Sequence, residues 1–263
     1  LLTIYSLNSR KQIMHKHVRH NIKYDLNFKT KSLEIRKTLL SNTEIINIIA
    51  YSMIIFGLAF MIIYNKFFNA DIMIPMILFF LGFILLFANY ILQYKDFEKI
   101  DFTYKDEITL NENSITINQK EIKLIDITKF ELEINGYYGE RIHSMRHYSG
   151  RIPIEKNCLG VKNQIKITFN SQVQESFFEL KSRTDQKNLE LYLYKAIMNK
   201  SLINLPPKDS IKLIPKMYKP YKESKEYIAE FIKEGKITCT EGLLMIGYES
   251  DNEAKELRNK YCA

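Results

Sequence analysis

Between Ile45 and Tyr94 the chain carries two long apolar segments separated by only seven residues, Asn65 to Asp71, and this stretch restricts everything around it. The first segment, Ile45 to Asn65, has no charged side chain and as a helix spans about 31 Å, close to the hydrocarbon thickness of a bilayer. The second, Ile72 to Tyr94, is also uncharged and holds five Ile, five Leu and four Phe. Such a composition favours membrane insertion. A seven-residue break leaves no room for an external domain, so the pattern predicts two antiparallel transmembrane helices, about 45–65 and 72–94. The mean hydropathy of −0.21 hides them, because lysine-rich flanks dilute the average.

The charge is unevenly placed. Residues 1–43 hold nine Lys or Arg against Asp25 and Glu34, so they carry +7 of the net +8. Basic flanks stay on the cytoplasmic side, and the inter-helix break offers only Lys66, balanced by Asp71; both termini are therefore expected in the cytoplasm, under a bacterial inner membrane. The histidines and cations of 15–20 read as a juxtamembrane patch drawn to anionic headgroups. Cys158, Cys239 and Cys262 are odd in number and widely spaced, which predicts a reducing compartment with neither a disulfide framework nor a CxxC metal knuckle. No basic-then-apolar leader is read at the start.

After residue 100 the apolar period shortens to two. Ile108 and Leu110, Ile115 and Ile117, then Ile122, Ile127, Phe130, Leu132 and Ile134 predict a strand meander with one buried face. Ile165, Ile167 and Phe169 face a second strand at Ser176–Leu180, and Leu189, Leu193, Ala196 and Ile197 predict a helix over Thr184–Met198 capped by Thr184 or Asp185. Between these lies an irregular, cationic insertion, Tyr137 to Asn163.

Two membrane helices, then Ile-Thr-Leu-Asn-Glu-Asn-Ser-Ile-Thr-Ile and Ile122-Lys-Leu-Ile-Asp-Ile-Thr-Lys-Phe-Glu-Leu, a late hairpin and a closing helix resemble the bacterial pleckstrin-homology-like (PH-like) domains tethered by a membrane hairpin. The resemblance covers roughly residues 45–199. It implies a membrane α-hairpin joined to an α+β domain: a curled antiparallel β-sheet or partly closed barrel with a C-terminal capping helix. It brings no catalytic signature.

The chain then divides into a basic segment (1–43), the two-helix transmembrane hairpin (44–94), the PH-like β domain (95–199), a Pro/Lys-rich extended linker (200–222) and an α/β tail (223–263). In the tail, a helix is expected from Ser224 to Glu234 with Gly235 as its stop. A compact apolar strand or turn follows at Gly242–Gly247, and Asp251 caps a last helix.

Phosphate loops, dinucleotide fingerprints and nucleophile elbows are missing from the sequence, so no enzymatic activity or cofactor is expected. His143-Ser-Met-Arg-His147 has the histidine spacing of a helical zinc motif without its glutamate, and Cys158 is the third candidate ligand for a metal-dependent enzyme. The stronger reading is a binding surface of Arg141, Arg146, Arg151 and Lys156 with Tyr137 and Tyr138. Its expected partners are a protein and anionic lipid headgroups, not nucleic acid. The lack of ionisable groups in the apolar segments argues against a channel-forming oligomer of hairpins, the remaining alternative.

Overall fold

The computed structural model describes residues 27–63, 73–143, 155–248 and 250–262. Two long apolar helices emerge from a seven-stranded antiparallel sheet, and a helical C-terminal unit lies at the sheet's far end. The elements in chain order are β1 (Phe28–Leu39), α1 (Asn42–Ile63), α2 (Met73–Leu92), β2 (Lys99–Leu110), β3 (Ser114–Ile117), β4 (Lys120–Lys123), β5 (Ile127–Glu133), β6 (Arg141–His143), β7 (Glu155–Asn157), β8 (Asn163–Phe169), β9 (Gln172–Phe178), α3 (Arg183–Met198), α4 (Pro207–Lys212), α5 (Lys222–Lys233), α6 (Cys239–Ile246) and α7 (Asp251–Tyr261). The sheet order is β4-β3-β2-β1-β9-β8-β5, while β6 and β7 form a separate ribbon. The large sheet is open: β4 and β5 are its two edges.

The basic segment bounded at residue 43 is corrected by β1. Phe28–Leu39 is not a membrane-surface tail but the central strand, paired with β2 from Phe28↔Leu110 to Leu39↔Lys99 and with β9 at Ser32↔Phe178 and Leu33↔Phe177. The sheet domain therefore begins before the hairpin, and the hairpin is a long insertion between two adjacent strands. Beyond Leu33, β1 and β2 run on toward the helices as a two-stranded ribbon, with Leu33, Ile100 and Val161 buried under it.

α1 and α2 are uncharged except for Glu44, in the first turn of α1. The buried side chains of α1 are Thr43, Ala50 and Gly57; those of α2 are Pro75, Gly82 and Asn89. Both sets recur every seventh residue, the period of a left-handed helix pair. A Cβ on Gly82 would sit 2.6 Å from Ile54 Cγ1 and 2.9 Å from the Ala50 carbonyl oxygen, and one on Gly57 would sit 2.9 Å from the Phe79 nitrogen. The small residues thus let the backbones touch. Only 11% and 17% of the two apolar windows are buried, so neither helix is covered as the core helix of a soluble protein would be.

The main core lies between the sheet and α3, where Ile108, Ile115, Ile117, Ile127, Ile165 and Ile167 meet Leu189, Leu193 and Ile197. α3 starts as its periodicity predicts, but the cap is Ser182, whose hydroxyl accepts from the Asp185 amide. Tyr192 donates its hydroxyl to the Asn111 carbonyl at 2.7 Å, fixing α3 over the end of the sheet remote from the hairpin.

Two expectations for the C-terminal part fail. The 200–222 stretch is not an extended linker: Leu202, Leu205 and Ile214 enter the main core, and Ile211, in α4, is fully buried. The 223–263 tail is helical throughout its elements, and the Gly242–Gly247 stretch lies mostly in α6. Ile228, Ile237, Leu243, Ile246, Leu257 and Tyr261 give this unit its own small core. It docks on α3 through Tyr194, whose hydroxyl donates to Glu223 of α5 and whose ring stacks on Tyr218, just before α5, at 4.4 Å. The start of α6 and the end of α7 are joined by a Cys239–Cys262 disulfide, contrary to the absence of pairing expected from sequence spacing. Antiparallel packing of short helices brings together cysteines 23 residues apart.

Candidate functional site at the base of the hairpin

The insertion Tyr137–Asn163 does not hang free. Its ribbon, β6 with β7, braces the junction where the helices leave the sheet. Asn157 is the pivot: its amide donates to the Asp96 carbonyl at 2.9 Å, its carbonyl accepts from the Glu98 amide at 3.0 Å, and its side chain donates to the Tyr94 and Asp96 carbonyls. The bridge Phe97↔Asn157 is parallel. β7 therefore runs in the direction the chain takes on leaving α2, and the His143–Glu155 end of the ribbon points toward the helices.

Charged and polar groups fasten the brace. Ser41-Asn-Thr-Glu44 forms a capping box: the Glu44 carboxylate accepts from the Ser41 amide at 2.8 Å, and Ser41 Oγ accepts in return from the Glu44 amide. The same carboxylate pairs with Lys156 Nζ at 2.8 Å, both side chains being largely enclosed. Asp96 accepts from the Thr43 amide at 3.0 Å and from the Thr43 hydroxyl. Burial opposes the charge on Asp96, but the Thr43 hydroxyl and amide outweigh it and hold the carboxyl below its ordinary range. Between the helices, Asn89 donates to the Thr43 carbonyl and to Asn47 Oδ1.

A second buried knot lies beneath. Glu98 pairs with Lys162 at 2.7 Å and accepts from the Leu159 amide. Asn163, fully buried, accepts from the Asn135 and Gly136 amides and donates to the Gly136 and Gly160 carbonyls. These bonds close the neck of the insertion.

The expected binding residues divide accordingly. Arg141 opens β6 with its guanidinium 4.7 Å over the Tyr94 ring, at the helix base. Lys156 is at the same base, but it is held by Glu44 instead of being offered to a ligand. Tyr137 is half-buried against the main core, whereas Tyr138 is exposed and stacks on Phe97 at 5.2 Å. Arg146, Arg151 and His147 lie outside the described residues.

Of the candidate metal ligands, His143 ends β6 opposite Glu155. Cys158 is buried, accepts from the Gly160 amide and lies 3.4 Å from Glu98 Oε1. Burial, with Glu98 and Glu140 nearby, pushes its thiol up to about 12. Among the described residues no group of three His, Cys, Asp or Glu is placed to hold a metal ion.

Sequence reasoning missed Glu44, Asp96, Glu98, Asn157 and Asn163. A signal for Glu44 was present: Ser-x-x-Glu directly before an apolar run marks a helix start. For the others no local pattern exists, since each bonds across 27 residues or more.

The fold and site define an antiparallel sheet domain with a helical hairpin, long and apolar enough to cross a membrane, inserted between β1 and β2. Comparisons with protein-family models, curated proteins and solved structures find no match.

Proposed function

We propose that this chain is a membrane-anchored cytoplasmic interaction module, a scaffold or regulatory subunit that presents a PH-like domain to a protein partner under a bacterial inner membrane. The observation that carries it is the apolar surface of the hairpin. Ile55, Phe56, Ile62, Ile74, Phe80, Ile84 and Phe87 are all more than half exposed, a surface that in water would drive aggregation and in lipid is at home. The basic flanks support a cytoplasmic position for β1 and β2, the strands on either side of the hairpin. The open antiparallel sheet with α3 across one end supports the PH-like reading. No ionisable group lies inside the apolar stretches, which supports anchoring over transport.

The test is photo-crosslinking of the full-length chain in its native membrane from positions on the sheet domain, followed by mass spectrometry of what is captured. The reading expects a reproducible protein partner from domain positions and not from hairpin positions. Capture of lipid alone would remove the scaffold role.

A second reading, contact with anionic headgroups, is favoured by Arg141 at the helix base beside Tyr94. Reversing Arg141, Arg146 and Arg151 to Glu in the full-length protein should then weaken retention of anionic lipid during purification. Unchanged lipid content would sink it.

A further inference from the structure

The Cys239–Cys262 bond is out of keeping with the cytoplasmic side, where thiols are kept reduced. It is also poorly shielded: both cysteines are only half-buried. What it restrains is a weakly attached element. α7 has 11 residues, too short to be stable alone, and buries only Leu257 and Tyr261. A cleft of about 280 Å³, lined by Thr240, Leu243, Leu244, Tyr248, Ala254 and Arg258 among others, runs between α6 and α7. Lys225 of α5 and Glu253 of α7 form a loose ion pair at 3.8 Å.

We infer that Cys239 and Cys262 form a reversible redox clasp that holds α7 on the C-terminal unit when oxidised and releases it when reduced. The inference goes beyond the scaffold reading and rests on its cytoplasmic placement of the domain. The chemistry is thiol–disulfide exchange with a small disulfide. One cysteine thiolate attacks a sulfur of the small disulfide, breaking its S–S bond and expelling one thiol. The second cysteine then attacks the protein sulfur of the mixed disulfide, forming the Cys239–Cys262 bond and expelling the other thiol. Two electrons and two protons pass from the protein to the two small thiols. On release, Leu257 and Tyr261 leave the α5–α6 face, and Ile228, Leu243 and Ile246 lose their cover. The clasp belongs to the C-terminal unit that packs on α3, and its partly exposed cysteines are open to a soluble partner.

The experiment uses the full-length protein in inside-out and right-side-out membrane vesicles, a membrane-impermeant maleimide to count thiols, oxidised glutathione as the oxidant, and limited trypsin digestion at Lys255 and Arg258. Cys158 is an internal control, expected to react only after denaturation because it is buried. In inside-out vesicles the reduced protein should label at Cys239 and Cys262, and oxidised glutathione should abolish that labelling. Trypsin should cut within α7 about tenfold faster in the reduced form, because cleavage follows the population of the released helix. Thiols reached only from the right-side-out face, after added reductant, would overturn the cytoplasmic placement and with it the clasp. Thiols in inside-out vesicles that oxidised glutathione does not protect, or cleavage rates equal in the two redox forms, would overturn the clasp and leave the placement standing.

Discussion

The ion pair between Glu44 and Lys156 joins the first turn of α1 to β7, and both side chains are sheltered enough to feel each other more than solvent. Replacing Lys156 with Met leaves the carboxylate enclosed with only its capping bond. We expect a loss of about 1–3 kcal/mol, typical of an uncompensated, mostly buried charge. Glu44→Gln combined with Lys156→Met should recover part of it, since the orphaned charge is gone; a double-mutant cycle by denaturant unfolding in detergent measures the coupling. Asp96 predicts a pH dependence of definite sign. Its carboxyl titrates below its ordinary value of 3.8 in the folded chain. The stability it contributes is thus complete above that value and is lost as pH falls through the lower, folded one. Below that range the brace should loosen, seen as faster amide exchange at Asn157 and Glu98. Asp96→Asn should exchange faster at neutral pH and lose the acid step.

At the scale of elements, the two apolar helices meet along a seam of small residues. Gly82→Leu should force them apart, because even a methyl group there meets Ile54 and the Ala50 backbone. We expect a clear fall in the thermal aggregation temperature in detergent, with Ile84→Leu, a change on the exposed face, as a near-neutral control. The helices themselves were legible because an apolar run is a local property. β1 was not, because its evidence is remote: Phe28 and Leu33 gain meaning only opposite Leu110 and Tyr104, and a register shift between Lys31 and Leu33 breaks the period-two pattern. Lysines and arginines on its exposed positions completed the disguise. The 200–222 stretch misled in another way, since Pro206, Pro207 and Pro215 suggested an extended chain while Leu202, Leu205 and Ile214 were spaced to fill the gap beneath α3. The insertion was recognised as unusual, but its cations promised a ligand. Lys156 turned out to answer a carboxylate more than a hundred residues upstream, which no local window contains.

For the whole molecule, the decisive fact is that the helical hairpin interrupts the sheet. A fragment of residues 95–263 lacks its central strand, so it should purify as an aggregating, partly folded species. A chain in which residues 41–97 are replaced by a two-residue turn keeps β1 opposite β2, and it should be soluble, monomeric and cooperatively folded. Circular dichroism and gel filtration distinguish the two, and equal behaviour of both would show that β1 is dispensable. The same interruption sets an order of events during synthesis. On the proposed membrane placement, β1 emerges before the helices and waits, unpaired, until both have entered the bilayer and β2 has been made on the same side. A chain with one helix threaded and the other left behind would strand β1 and β2 on opposite faces of the membrane, and its sheet could never close around Ile108 and Ile167. On the proposed placement, completion of the fold would double as proofreading of insertion: wrongly threaded chains would stay unfolded and be exposed to the proteases that remove such chains.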